Sequence, residues 1–178
     1  EPDLISTTEL TTNVSCNGGS DGTATLNASG GTGILSEDWG TANPTQLSAG
    51  TYSYTITDSN LCTYTDSVTI SEPSVLSVTS TQTNVNCNGA STGNIDITPF
   101  GGAGSYTFSW DNGAITEDLT NISAGQYIVT ITDTNNCTLN DTITLTEPNP
   151  LSSSSTQTNV SCYGLNDGSA TVNIFGGV

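Results

Sequence analysis

The chain repeats itself, and this repetition constrains its fold most, because each copy of a short repeat is one structural unit. The segment Asn-Val-x-Cys-x-Gly occurs at residues 13–18, 84–89 and 159–164, at spacings of about 71 and 75 residues. Further elements recur in the same order: a Gly-Gly pair, a Trp, an Ala-Gly-x-Tyr segment, an Asp-x-Asn-x-Cys segment and a Glu-Pro pair. We therefore predict three domains, with boundaries at residues 3–73, 74–148 and 149–178.

The third copy stops early in its course, at Val178, and the sequence opens on a Glu-Pro pair like those that end the two full copies. It carries no signal peptide pattern. It also contains no run of about 18 apolar residues that could span a membrane. We expect the sequence to be a fragment of a longer protein.

Alternation of apolar and polar residues within one copy predicts short β-strands. In the second copy the predicted strands cover residues 75–83, 94–98, 106–110, 114–119, 127–131 and 142–145. In the first copy the aromatic residues before Trp39 are missing, so its third strand is expected to be shorter or irregular. Several short strands in about 75 residues favour a small β-sandwich.

Two aromatic residues recur in both full copies: Trp39 matches Trp110, and Tyr52 matches Tyr127. They resemble the core Trp and the corner Tyr of immunoglobulin-like domains. We predict that all four are core aromatics and not a sugar-binding platform. The predicted fold class is all-β: tandem immunoglobulin-like β-sandwich domains of about 75 residues each, arranged as a rod or filament.

The five cysteines follow the repeat. We predict the disulfides Cys16–Cys62 and Cys87–Cys137, with the partner of Cys162 beyond the sequence. A domain of this size buries a marginal core, and closing a loop of about 50 residues contributes roughly 3–4 kcal/mol. A metal site is disfavoured because there is no His and no Cys-x-x-Cys pair. Disulfides imply an oxidising compartment.

One geometric question stays open at this point. In an up-and-down meander, the first and last loops, which carry the two cysteines, lie at the same end only if the strand count is even. Chain termini at opposite ends, which a stalk-like array needs, require an odd count. The sequence does not decide between the two arrangements.

Charge excludes several functions, because the chain has 17 Asp and Glu but no Lys, Arg or His. Binding of nucleic acid requires cationic side chains that neutralise phosphates, so we predict no nucleic-acid partner. Nucleophilic catalysis through a Ser-His or Cys-His pair is impossible. A glycoside hydrolase would use two carboxylates, and most acidic residues do not recur at facing positions. We predict no catalytic residues and no enzymatic activity.

The linkers between copies are short, contain no Gly and carry Pro, at residues 70–75 and 145–151. Proline fixes its own φ and stiffens an extended chain. The last strand of one domain is therefore expected to run almost directly into the first strand of the next, with limited hinge motion.

The combination of Cys-Asn-Gly, Gly-Gly, Trp, Ala-Gly-x-Tyr, Asp-x-Asn-x-Cys and Glu-Pro resembles the SprB repeat, and the resemblance covers the whole chain. This family occurs in very large surface adhesins of Bacteroidota. The resemblance implies an extracellular, outer-membrane-associated filament that is exported by type IX secretion and takes part in adhesion and gliding motility. The implied partners are neighbouring repeats, external surfaces or polysaccharides, and gliding and secretion machinery that other parts of the protein would contact. An array of carbohydrate-binding modules is the alternative.

Two further signals concern modification and metal binding. Ser67 and Thr142 lie in Asp-Ser/Thr-apolar triplets that match the O-glycosylation pattern of Bacteroidota, although each triplet is also an ordinary strand edge. Four side chains offer oxygens that calcium prefers, yet they are also good turn residues before a Cys: Asp58, Asn60, Asp133 and Asn135. We predict no cofactor and no metal site, with calcium at these turns as the alternative.

Overall fold

The computed structural model describes residues 2–177; Glu1 and Val178 lie outside the described residues. Its regular structure consists of β-strands, so the all-β prediction is confirmed. No helix in residues 2–177 is long and apolar enough to cross a membrane. The first repeat contains five strands: β1 (Ser6–Thr12), β2 (Thr23–Ser29), β3 (Ser36–Asp38), β4 (Gly50–Thr57) and β5 (Thr63–Ile70).

The first repeat is a small sandwich of two sheets. Strands β1 and β2 pair antiparallel, and β4 pairs antiparallel with β3 on one side and β5 on the other. Every second residue of β2, β4 and β5 points inward, as the two-residue period of a strand requires. The resulting core joins both sheets: Val14, Ala24, Leu26, Leu47, Tyr54, Ile56, Val68 and Ile70.

Hydrogen bonds between loops show that the chain enters the first repeat at one end of the sandwich and leaves it at the other end. At the entry end, the Gly31 N–H donates to the Asp3 carbonyl (2.8 Å), and the Ser59 N–H donates to the Thr32 carbonyl (3.0 Å). At the exit end, the Val14 N–H donates to the Ser71 carbonyl (3.0 Å). The β1–β2 loop therefore lies at the exit end and the β4–β5 turn at the entry end.

The second repeat has six strands and the third has two. They are β6 (Ser74–Thr83), β7 (Gly93–Gly102), β8 (Thr107–Trp110), β9 (Leu119–Ile122), β10 (Gly125–Thr132), β11 (Thr138–Leu145), β12 (Asn149–Thr158) and β13 (Ser169–Gly177). The sheet orders are β6-β7-β9, β11-β10-β8 and β12-β13. Strand β3 is one residue shorter than β8, so the expectation of a short third strand in the first repeat is confirmed.

The strand predicted at residues 114–119 is wrong, because local hydrogen bonds occupy that segment. The Trp110 N–H donates to the Ala114 carbonyl (2.9 Å), and the Gly113 N–H donates back to the Trp110 carbonyl (3.0 Å), which closes a tight turn. The Thr116 hydroxyl then donates to the Asp118 carbonyl (2.7 Å). Strand pairing starts only at Leu119, with β9.

The chain forms two compact units. Unit 1 contains Glu1–Ser77, Pro99–Tyr106 and Ile131–Leu139, and unit 2 contains Val78–Thr98, Thr107–Thr130 and Asn140–Val178. The first repeat lies wholly in unit 1, and the second repeat contributes to both units. The repeat boundaries at residues 3–73, 74–148 and 149–178 divide the chain differently, and they stay predictions.

The recurring aromatic residues lie in or against the cores. Trp110 is buried, and Trp39 is half-buried with its ring centroid 5.2 Å from that of Tyr54. Tyr52 and Tyr127 are half-buried, and their hydroxyls donate to the carbonyls of Ser48 and Ser123 (3.0 Å each). A Tyr hydroxyl that bonds back to the backbone a few residues upstream has the form of a tyrosine corner.

Candidate functional site

The exit end of each full repeat is held by the Asn-Val-x-Cys-Asn-Gly segment, which we call the Cys-Asn loop (residues 13–18 and 84–89). The Asn13 side-chain oxygen accepts a hydrogen bond from the Ser71 N–H (3.0 Å), and the Val14 N–H donates to the Ser71 carbonyl (3.0 Å). Asn84 and Val85 bind Thr146 in the same way. The loop therefore binds the residue that follows the last strand.

The same loop fixes the Glu-Pro pair. The Gly18 N–H donates to the Glu72 carboxylate, and the Asn17 amide donates to the Pro73 carbonyl (3.0 Å). In the second repeat, the Gly89 N–H donates to the Glu147 carboxylate (2.7 Å). Gly18 and Gly89 have φ of +76° and +75°, which glycine adopts without a steric penalty. Sequence reasoning treated the Glu-Pro pair as a stiff linker and missed this clamp, although all of its residues recur.

At the entry end, the Asp-x-Asn-x-Cys segment forms what we call the Asp-Cys turn (residues 58–62 and 133–137). One Asp58 oxygen accepts from the N–H groups of Asn60 (2.8 Å) and Cys62 (2.9 Å), and the other accepts from the Thr32 N–H (2.9 Å). The buried Asp133 carboxylate repeats all three bonds with the N–H groups of Asn135, Cys137 and Ala103. Each Asp holds its turn and ties it to the β2–β3 loop or to its counterpart after β7.

These bonds also set the charge state of the turn. Burial works to raise the pKa of Asp58, but the hydrogen bonds from Cys62, Thr32 and Asn60 outweigh it and hold that pKa below its ordinary value of 3.8. Because backbone N–H donors surround the carboxylate, the structure gives Asp58 the turn role that the sequence allowed. No group of three or more His, Cys, Asp or Glu suited to a metal occurs in the described part of the chain.

The Gly-Gly pair completes the entry end. A Cβ on Gly30 would lie 2.0 Å from the Leu4 carbonyl oxygen, and a Cβ on Gly101 would lie 2.0 Å from the Val75 carbonyl oxygen. Both glycines also have a positive φ. The chain entering each repeat therefore passes directly against a glycine, beside the Asp-Cys turn.

A disulfide joins the exit end of the first repeat to the entry end of the second. Cys16 of the Cys-Asn loop is bonded to Cys137 of the Asp-Cys turn, with the α-carbons 5.7 Å apart. The Asn135 side-chain amide donates to the Ser15 carbonyl beside it (2.9 Å). All of these residues lie in unit 1.

The predicted pairs Cys16–Cys62 and Cys87–Cys137 are therefore wrong. The physical reason is the strand order: the Cys-Asn loop and the Asp-Cys turn of one repeat lie at opposite ends of the sandwich, so only cysteines of consecutive repeats meet. Within the described residues, three cysteines are exposed free thiols: Cys62, Cys87 and Cys162.

The candidate glycosylation residues occupy equivalent exposed positions, Ser67 on β5 and Thr142 on β11. In each triplet the Asp side chain accepts a hydrogen bond from the next residue's N–H (2.8 Å). The hydroxyls are accessible, and glycosylation itself stays a prediction.

The fold and the junction define an array of small β-sandwich repeats in which an exit loop and the next entry turn are crosslinked. The SprB repeat family model matches residues 8–36, 79–115 and 154–178, just over half of the chain. The chain belongs to the SprB repeat family, which is a structural repeat of cell-surface or extracellular proteins. No curated protein matches the sequence.

Proposed function

We propose that this chain is a stalk segment of a very large cell-surface adhesin filament that takes part in surface adhesion and gliding motility. The observation that carries the proposal is the Cys16–Cys137 disulfide, which joins two consecutive repeats. A segment that spans a distance under tension needs neighbouring domains that stay attached when one of them loosens. A covalent bond between repeats meets that need in addition to the main chain.

The clamp on the Glu-Pro pair supports the same function. Glu72 and Pro73 are bonded to the Cys-Asn loop of their own repeat, so the joint is held on one side by hydrogen bonds and restricted by proline on the other. We propose a stiff, rod-like filament on that ground. Its partners are neighbouring repeats, external surfaces or polysaccharides, and gliding and secretion machinery contacted by other parts of the protein, without nucleic acid and without a cofactor.

A net charge of −17 with no cationic side chain also suits a surface filament. Like-charged filaments repel one another and stay dispersed in solution. Glycans on Ser67 and Thr142 would extend from the exposed faces of β5 and β11. We propose these two hydroxyls as O-glycosylation sites; an intact mass of native material equal to the bare sequence would exclude them.

Carbohydrate binding through the Trp and Tyr residues that recur in both full repeats is less well supported, because a sugar platform needs exposed aromatic rings. The recurring Trp110 is only 3% exposed, and Trp39 packs against Tyr54. A glycan array probed with the purified chain tests this alternative directly: specific retention of one glycan class would favour it over a stalk.

The stalk function is tested on intact cells that carry the parent protein. Antibodies raised against this chain should label filaments on unpermeabilised cells, and beads coated with the antibody should be carried along the surface of gliding cells. Antibodies against a cytoplasmic protein serve as the control. Labelling only after permeabilisation would contradict a surface filament, and beads that bind but stay still would contradict the gliding role.

A further inference from the structure

We propose that the pocket beside Cys62 is a docking site for the Cys-Asn loop of another SprB repeat, and that a disulfide from Cys62 to the cysteine of that loop closes it. The occupant is thus a second copy of the repeat, placed before the first. This inference goes beyond the stalk function, because it holds whatever the parent protein does. Its consequence is a continuous chain of crosslinks in which each repeat is bonded to both of its neighbours.

The Cys62 and Cys137 turns are built alike. Asp58 and Asp133 each accept three backbone N–H bonds, with donors in equivalent positions and lengths of 2.8–2.9 Å. Leu61 and Asn136, which precede the cysteines, have φ of +66° and +64°. Cys62 is therefore presented by the same backbone conformation as Cys137.

The Cys137 turn already binds the kind of segment that we propose for Cys62, a Cys-Asn loop of the preceding repeat. Its occupant is the first repeat's Cys-Asn loop, bound by the disulfide to Cys16 and by the Asn135 amide on the Ser15 carbonyl. Asn60 is the counterpart of Asn135, and it is exposed. Both groups that bind the loop in the second repeat are thus present and accessible in the first.

The pocket beside Cys62 supplies a surface against which a Cys-Asn loop could pack. It has a volume of about 260 Å³ and is lined by residues that include Leu4, Ile5, Asp58, Cys62 and Thr63. Leu4 is 92% exposed, whereas its counterpart Val75 is 59% exposed. Val75 and its neighbour Leu76 line a groove together with Cys16, Asn17 and Cys137. Val75, which lies beside the bound Cys-Asn loop, is therefore less exposed than Leu4.

The other half of the junction appears in unit 2. The groove beside Cys87 is lined by the Cys-Asn loop of the second repeat and by Pro150, Leu151 and Gly177 of the third. Pro150 lies against Gly176 as Val75 lies against Gly101, with a Cβ on the glycine 2.2 Å and 2.0 Å from the carbonyl oxygen. The described residues that line this groove belong to the loop and to the entry strand. Cys62 and Cys87 thus present complementary halves of one kind of junction.

The crosslink requires an oxidant. The thiolate of one cysteine attacks a disulfide of the oxidant and forms a mixed disulfide, releasing one thiol of the oxidant. The thiolate of the second cysteine then attacks the sulfur of the first and displaces the oxidant's other thiol. In total, two thiols lose two protons and two electrons, which reduce the oxidant's disulfide to two thiols. A thiol–disulfide oxidoreductase is the class of protein that would supply this step on export, and oxidised glutathione supplies it in a test.

The test adds one repeat ahead of the chain. Residues 3–73 are fused before residue 3, which recreates the Glu-Pro-Asp sequence of residues 1–3 at the new joint. The protein is oxidised in a glutathione buffer, free thiols are blocked, and a protease that cleaves before Asp puts each kind of cysteine on its own peptide. Detection of the peptides 3–20 and 133–140 joined by the Cys16–Cys137 disulfide shows that the protein has folded and oxidised.

We expect a second disulfide-linked peptide pair, residues 3–20 with residues 58–65. Two matched substitutions show which repeat supplies the Cys62 of this pair. Cys62→Ser in the original repeat should abolish this pair and release one further thiol. Cys62→Ser in the added repeat should leave the pair intact. The reverse pattern would mean that the crosslink forms within a repeat, and absence of the pair from the unsubstituted protein would mean that Cys62 binds no loop; either result overturns the proposal.

Discussion

Cys16 and Cys137 are 121 positions apart in the sequence, yet their α-carbons lie 5.7 Å apart and a disulfide joins them. They belong to different copies of the repeat, and each is half-buried, whereas their counterparts Cys87 and Cys62 are exposed. The crosslink therefore connects the exit end of one sandwich with the entry end of the next, where both loops are already held by hydrogen bonds.

Removal of the disulfide should destabilise unit 1. A bond that closes a loop of this length contributes about 4–5 kcal/mol in the chain-entropy model. Cys137→Ser should therefore lower the free energy of unfolding by an amount of that order, measured by urea titration. Cys62→Ser changes the same position of the other Asp-Cys turn and is the matched control. Equal losses for the two variants would contradict a disulfide at Cys137 alone.

The clamp on the second Glu-Pro pair should weaken when Glu147 is truncated. The carboxylate accepts bonds from the Gly89 N–H (2.7 Å) and the Asn88 amide (2.8 Å). Because these groups are exposed, we expect Glu147→Ala to cost only about 1 kcal/mol and to speed hydrogen exchange at Gly89. Glu117→Ala, at another exposed acidic position, is the control, and unchanged exchange at Gly89 in Glu147→Ala would count against the clamp.

Stability should depend on pH through Asp58. Its pKa is lower in the folded chain than its ordinary value of 3.8, so its contribution is present above that value and is lost as the pH falls through the folded pKa. Asp58→Asn places an amide N–H where the Thr32 N–H needs an acceptor, so it should destabilise the chain at neutral pH. The gap in unfolding free energy between the two proteins should stay constant well above pH 3.8 and narrow as the pH falls from that value through the folded pKa. A constant gap would show that the Asp58 charge plays no part.

Two glycines with positive φ allow the cost of backbone strain to be distinguished from the cost of a steric clash. A Cβ at Gly40 (φ +61°) meets nothing within 4 Å, and a Cβ at Gly30 (φ +83°) meets the Leu4 carbonyl at 2.0 Å. Gly40→Ala should cost about 1–2 kcal/mol from left-handed strain. Gly30→Ala must also displace the entering chain, so its loss should exceed about 3 kcal/mol. Similar losses in thermal or urea unfolding would contradict the close approach at Gly30.

Local signals predicted most of the fold, because they depend on neighbouring residues. The alternation at residues 127–131 and 142–145 lies within β10 and β11, since one face of each strand is buried. The segment at residues 114–119 misled the prediction because its hydrogen bonds are made locally, by side chains that a pattern of hydrophobicity does not register.

The cysteine pairing could not be predicted, because it depends on which end of the sandwich each loop occupies. Each repeat presents two cysteines, and sequence alone favours the pair that is nearer along the chain. The hydrogen bond from Val14 to Ser71 and the one from Ser59 to Thr32 decide the question by placing the loops at opposite ends.

The most direct test of the crosslink between repeats is a non-reducing peptide map of the chain itself. Cleavage before Asp gives each of the five cysteines its own peptide, and the thiols are blocked beforehand to prevent exchange. We predict one disulfide-linked pair, residues 3–20 with 133–140, and free thiols in the three peptides that contain Cys62, Cys87 and Cys162. Linked pairs of residues 3–20 with 58–65 and of 66–95 with 133–140 would contradict the account.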